Sequence, residues 1–321
     1  MTMGFALLNP PYDYGAPVMH RRDLLLGAAA LASPLFRSTI AMAAPAMITR
    51  PIPSSGEAMP VIGLGTSQVF DVGADERARQ PLRAVLQALV EAGGRIIDTS
   101  PMYGRAEAVT GDLVAAAGVR TRIFLATKVW TSGRDSGIAQ MRRSAELLKS
   151  PVIDLIQIHN LQDWRIHLTT LRAMKAEGKI RYIGITHYTT GALAELARIL
   201  TAEPGIDFVQ CAYSLGTRDA EIALLPIAAE RGVAVIVNRP FEDGGMFARV
   251  RGRALPEWAG DFDCTSWAQL FLKYIIAEPA VTCAIPATSS PEHMADDLKA
   301  GFGRLPDARQ KEQIRRFWDS L

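Results

Sequence analysis

From Pro60 onward, short apolar runs rich in valine and isoleucine alternate with longer stretches whose apolar residues recur at helical spacing. The runs occupy residues 61–65, 95–98, 123–128, 153–159, 180–186, 207–213, 233–238 and 281–286, which makes eight. Helical stretches such as 75–93, 137–150 and 164–179 lie between them. The second stops just before Pro151, and the first and third have glycine at or near their C-terminal ends. Near-continuous apolar runs belong to strands covered on both faces, the mark of parallel sheet. Eight strands alternating with helices predict an α/β fold, a closed (β/α)8 TIM barrel forming a single domain over residues 47–321. A doubly wound sheet would want G-x-G-x-x-G after its first strand, and "GLGTSQVF" lacks that spacing.

The first 46 residues break the rhythm. Arg21 and Arg22 precede an apolar stretch from Leu24 to Phe36, followed by small residues at Ala41-Met42-Ala43 and Ala44-Pro45-Ala46. Basic, apolar and small segments in that order are what a secretory signal needs. The arginine pair before Leu24 and Leu25 resembles a twin-arginine export signal. The apolar stretch is too short to span a bilayer comfortably. The expectation is an N-terminal export signal region at 1–46 and delivery to the periplasm without a stable membrane span in the mature chain. Residues 1–18 carry no readable role, and Met19 is an alternative start.

Composition removes other classes of function. The net charge of +2 makes no electrostatic case for nucleic acid or an anionic membrane surface. Cys211, Cys264 and Cys283 are scattered, with no metal spacing, and read as buried free thiols. A metal hydrolase needs several converging His, Asp or Glu ligands, yet His167, His187 and His293 stand apart from one another.

In an α/β barrel, reactive groups sit at the C-terminal ends of strands, where the loops surround the mouth. Asp98 ends the second run, Lys128 the third and His159 the fourth, and Tyr103 stands in the loop just beyond Asp98. Each alone has an ordinary reading: Asp98 as a turn cap, Lys128 as a solvated strand end, Tyr103 as packing, His159 as a core histidine. Their convergence at successive strand ends is what chance does not readily produce.

The segments that carry these residues resemble the aldo-keto reductase superfamily. "IIDTSPMYGRAE" is similar to its aspartate-to-tyrosine segment, "LATKVW" to its lysine segment and "IDLIQIHN" to its histidine segment, with "GKIRYIGIT" and "IPATSSPEHMADDL" resembling later signatures. The resemblance implies NAD(P)H-dependent reduction of an aldehyde or ketone to an alcohol. Asp98, Tyr103, Lys128 and His159 would be the catalytic set. A free phenol titrates near about 10, and a neighbouring cationic lysine favours its phenolate. Lys128, held by Asp98, would polarise Tyr103 as the proton donor, while His159 would orient the carbonyl oxygen.

Cofactor positions carry over by the same resemblance. Gln210 matches the glutamine on the nicotinamide carboxamide, and Thr66 and Asp98 match positions beside its ribose. Thr186 and His187 stand where the family commonly has Ser-Asn. Asn238 stands where an aromatic often stacks, followed by Arg239, which reads either as a cofactor contact or as a surface residue. Thr288 and Ser289 are the expected phosphate donors. Ala287 and His293 replace a frequent lysine and arginine around the 2′-phosphate, with Asp296 and Asp297 following. This set implies NADPH with a weak preference and NADH as possible. Trp130, Trp164, Phe241 and Trp258 follow strand ends and read either as a substrate pocket or as packing. The alternative function is a cofactor-binding, redox-sensing regulatory subunit with little turnover.

Overall fold

The computed structural model describes residues 46–321, so the expected export segment lies outside the described residues but for Ala46. A hairpin comes first, β1 (Thr49–Pro51) antiparallel to β2 (Ala58–Pro60). Eight parallel strands then pair in sequential order: β3 (Leu64–Gly65), β4 (Ile96–Asp98), β5 (Phe124–Val129), β6 (Ile153–His159), β7 (Ile180–His187), β8 (Phe208–Ala212), β9 (Ala234–Asn238) and β10 (Val281–Ala284). The last strand returns to the first. The Ala284 N–H donates to Val61 O, the Gly63 N–H to Ala284 O and the Gly65 N–H to Pro286 O, each at 2.9 Å, closing the cylinder. The expected (β/α)8 barrel is therefore the fold, with every expected run contributing a strand.

Helices α1 (Glu76–Glu91), α2 (Ala106–Ala116), α3 (Arg134–Leu147), α4 (Trp164–Ala176) and α5 (Leu193–Ala202) surround the first strands. The pair α6 (Ala220–Ala223) and α7 (Leu225–Glu230), then α8 (Gly245–Arg249), α9 (Trp267–Ile276), α10 (Pro291–Lys299) and α11 (Ala308–Asp319) complete the wall. The pattern in α1 shows why. Asp75 caps it by accepting from the Arg77 N–H, and Leu82, Val85, Leu86, Leu89 and Val90 make one buried stripe. Among the described residues no helix is long and apolar enough to cross a membrane.

Strand alternation divides the apolar residues into two cores. Ile97, Leu125, Ile156, Ile158, Ile183 and Ile185 face the helices in the larger one. Ile96, Phe124, Ala126, Leu155, Tyr182, Phe208, Ala234 and Ile236 fill the barrel interior, with Ile52 and Met59 of the hairpin in the same cluster. The hairpin, which the sequence pattern did not signal, is a plug. Its Glu57 bridges Arg95 and Arg181, and Asp154 bridges Arg181 and Arg120. Ion pairs thus tie the plug to the N-terminal ends of β4, β6 and β7.

Candidate active site

On β4 to β9 the inward positions turn from apolar to polar toward the mouth. Alternation puts Asp98 above Ile96, Lys128 above Ala126, Gln157 and His159 above Leu155, Thr186 above Tyr182 and Gly184, Gln210 above Phe208, and Asn238 above Ile236. At the centre of this layer the Lys128 Nζ donates to Asp98 Oδ1 at 2.6 Å and to the Thr99 carbonyl at 2.8 Å. Lys128 has no solvent exposure. The other oxygen, Asp98 Oδ2, accepts from Gln157 Nε2 at 2.8 Å and Gln210 Nε2 at 2.9 Å. Gln157 fits because Gly184 opposite has no side chain: a Cβ there would stand 2.8 Å from its Cγ. Burial by itself would depress Lys128, but Asp98, and after it Tyr103, outweigh burial and hold the ammonium above its ordinary range.

Tyr103 reaches this pair through a turn. Its N–H donates to Ser100 O at 3.0 Å, with Pro101 at the second turn position, where its fixed φ is preorganised. The phenol ring lies over Lys128, whose Nζ is 5.0 Å from the ring centroid. His159 meets the same ring edge-on, with centroids 6.0 Å apart at 89°. A second turn follows His159: the Gln162 N–H donates to its carbonyl, and Asn160 and Leu161 both take positive φ, 53° and 56°. Among the described residues, all positive-φ non-glycine residues but Lys149 lie in loops that follow barrel strands, so backbone strain is concentrated around the mouth.

Tyr103 and His159 line one end of a cavity of about 1120 Å³. Its lining also includes Thr66, Asp98, Thr186, Gln210, Asn238, Arg239, Thr288 and His293 of the expected cofactor set. Thr66 Oγ1 donates to the Asp98 carbonyl, and Gln210 Oε1 accepts from Thr186 Oγ1 and Asn238 Nδ2. One Gln210 N–H is spent on Asp98, which leaves the second for a ligand. Lys128 lies beneath this surface rather than in it.

Two expected cofactor residues stand outside the lining. His187 follows inward-facing Thr186 by one residue and so points to the opposite face of the strand. It stacks on Tyr188 at 5.6 Å, and its Nδ1 accepts from the Thr189 N–H. Ser289 is exposed, whereas its neighbour Thr288 is buried and accepts from the Ser290 N–H. Of the candidate pocket aromatics, Trp130 and Phe241 line the cavity. Trp164 is buried in the outer core, and Trp258 packs edge-on against Phe317 with centroids 5.6 Å apart. The sequence reading missed Gln157, Ser100, Asn160, Tyr188 and Phe247. Gln157 carries a local signal, sharing the face of Leu155 and His159; Ser100, Asn160 and Tyr188 are placed by loops and Phe247 by the short helix α8.

Comparison with known proteins agrees with this geometry. The model of the aldo/keto reductase family matches residues 61–318. The chain is similar to methylglyoxal reductase YeaE of Escherichia coli (strain K12), 30% identical over 254 residues that cover 75% of this chain and 85% of the relative. It also resembles a Klebsiella pneumoniae aldo-keto reductase solved with NADPH, at 26% identity and a TM-score of 0.71, covering 85% of this chain and 96% of that one. A second K. pneumoniae structure, with NADP and acetate, shows 27% identity and a TM-score of 0.69, covering 82% and 93%.

Burial first, then the charges of Lys128 and His187, push the His159 imidazole down to about 3. Its folded value lies below the unfolded one of about 6.5, so the neutral ring contributes full stability above that pH and loses it as the pH falls toward 3. Wild type is therefore expected to lose stability relative to His159→Gln on acidification through this window, measured as unfolding midpoints. Parallel midpoints would mean that the ring is protonated in the folded protein.

Proposed function

The chain belongs to the aldo/keto reductase family, and from that premise we propose the roles of its residues in an NAD(P)H-dependent oxidoreductase that reduces an aldehyde or ketone. The observation that carries the proposal is the buried Lys128–Asp98 pair directly beneath Tyr103 at the mouth of the barrel. The cavity fits a nicotinamide dinucleotide in volume and in donors. It is lined by Asn160 and Asn238, each with a buried Oδ1 that lacks a protein partner. Thr66, Gln210 and Asn238 would hold the nicotinamide half, with Arg239, Thr288 and His293 toward the phosphates and adenosine.

A bound reduced nicotinamide supplies the hydride that adds to the carbonyl carbon. Tyr103 gives its phenolic proton to the carbonyl oxygen, and the Lys128 ammonium stabilises the phenolate left behind. Asp98, accepting from Lys128 and two glutamines, holds that ammonium in position. His159 donates a hydrogen bond to the same carbonyl oxygen and orients it. Met102 and Trp130, both exposed at the rim, offer an apolar surface to the substrate's remainder. The complete catalytic set favours turnover over a purely redox-sensing role. The name of the E. coli relative makes methylglyoxal the first aldehyde to assay.

Tyr103→Phe is expected to remove nearly all carbonyl reduction while cofactor affinity stays unchanged, because only the proton donor is lost. Turnover within about tenfold of wild type would show that another group is the acid.

The proposed cofactor preference is NADPH over NADH by a small factor. His293 lines the cavity, and Asp296 and Asp297 of the same helix line it too. Burial, then the charge of Asp296, push the Asp297 carboxyl well above the usual carboxylate range. Neutral histidine donates one hydrogen bond, where a cation would add a charge-assisted bond of roughly 1.5–3 kcal/mol, about tenfold to a hundredfold in affinity. His293→Arg is expected to tighten NADPH by about that factor and leave NADH nearly unchanged, read by titrating both cofactors. Equal tightening of the two would place His293 away from the 2′-phosphate.

Arg21 and Arg22 support export of the folded protein to the periplasm. Lysine at both positions is expected to hold a longer precursor in the cytoplasm on fractionation. Unchanged delivery of a shortened form would exclude that route.

A further inference from the structure

Ser100 sits two residues beyond the end of β4, in the turn that carries Tyr103, and none of its surface reaches solvent. Its Oγ lies 3.1 Å from His159 Nδ1, a buried contact between residues 59 apart in the chain. A serine hydroxyl has one hydrogen to donate. The other group bonded to this oxygen, the Met102 N–H at 3.4 Å, is itself a donor. Among the described residues, His159 Nδ1 is thus the one acceptor the Ser100 hydroxyl reaches.

That accounting decides where the imidazole carries its proton. A neutral ring is protonated on Nδ1 or on Nε2, and the partner of one nitrogen selects the state of the other. With the proton on Nδ1, the serine hydrogen would be left without an acceptor in a buried site, which is unfavourable. With the proton on Nε2, Nδ1 accepts from Ser100 and every hydrogen is used. His159 Nε2 makes no hydrogen bond to the described residues, and the ring lines the cavity beside Tyr103. The Nε2–H is then the group available to a ligand.

We propose that Ser100 is a positioning residue: by donating to His159 Nδ1 it holds the imidazole as its Nε2–H tautomer and fixes the ring's orientation, so that a neutral N–H meets the substrate's carbonyl oxygen. Without this hydroxyl the ring is free to carry its proton on either nitrogen, and the Nδ1–H form would present a lone pair to the carbonyl oxygen, which repels it. The consequence for catalysis rests on the reductase reading above; the tautomer does not.

The test separates the two. In protein labelled with nitrogen-15 at histidine, long-range proton–nitrogen NMR correlations identify which His159 nitrogen is protonated, without substrate or cofactor. Wild type is expected to show Nε2–H alone, and Ser100→Ala a mixture of tautomers. The same substitution should lower kcat for a reducible aldehyde by about tenfold to a hundredfold, with cofactor affinity and thermal midpoint close to wild type. Ser100→Thr, which keeps the hydroxyl, should recover both the single tautomer and most of the rate. An Nδ1–H ring in wild type, or an unchanged Nε2–H ring and kcat in Ser100→Ala, would overturn the proposal. The expected NMR pattern in a wild-type protein that turns over no carbonyl compound would uphold the tautomer assignment and count against the reductase reading instead.

Discussion

A lysine with no solvent exposure at the centre of a barrel needs a compensating charge, and the rest of the site is organised around meeting that need. Asp98 supplies it at 2.6 Å. Losing either partner of such a pair leaves an uncompensated buried charge, at a general cost of about 3–5 kcal/mol. The carboxylate is then satisfied in full: Lys128 takes one oxygen, Gln157 and Gln210 share the other, and Gln210 is braced in turn by Thr186 and Asn238. Six strands contribute to this one network, so β4 through β9, apart from their connecting helices, are locked in register around it. The ammonium that results is held in place beneath the Tyr103 phenol at the mouth.

The barrel separates stability from chemistry along its axis. At the N-terminal end, the hairpin buries Ile52 and Met59 inside the cylinder, and Glu57 and Asp154 join arginines from several strands. Arg50 adds hydrogen bonds to the carbonyls of Ile276 and Val281, each at 2.5 Å, just where α9 leads into β10. With that end sealed, the C-terminal loops are free to hold positive-φ residues such as Asn160, Leu161 and Arg239, conformations that cost energy and persist only on a firm scaffold.

The cavity has two electrostatic characters that suit its two tasks. Around Tyr103, a buried cation and a neutral imidazole face the place where negative charge develops on a reduced carbonyl oxygen. Toward His293 the wall mixes Arg239, which is paired with Asp243 at 2.8 Å, with the acids Asp296 and Asp297. The first is preorganised by buried hydrogen bonds; the second is a mixed polar surface. Reaction chemistry and cofactor discrimination are therefore set by different residues, which substitutions can address separately.

Much of this was legible along the chain because it depends on local alternation. Apolar runs ended by Asp98, Lys128 and His159 mark both the strands and the inward, mouth-proximal positions, since side chains alternate with a period of two on any strand. The same rule would have moved His187 out of the site and brought Gln157 into it, because one residue of displacement reverses the face and two restores it. The three-residue strands of the hairpin are too short to carry a period, and Trp130, Trp164, Phe241 and Trp258 all follow strand ends, yet two line the cavity and two are packed in the body. Loop residues have no periodicity from which a direction is read. The contact between Ser100 and His159 joins two strand ends whose distance depends on the pairing of β4, β5 and β6. By itself the sequence determined which residues point into the barrel; which of them touch was decided by the register and closure of the whole cylinder, because hydrogen bonds form at distances that only neighbouring strands set.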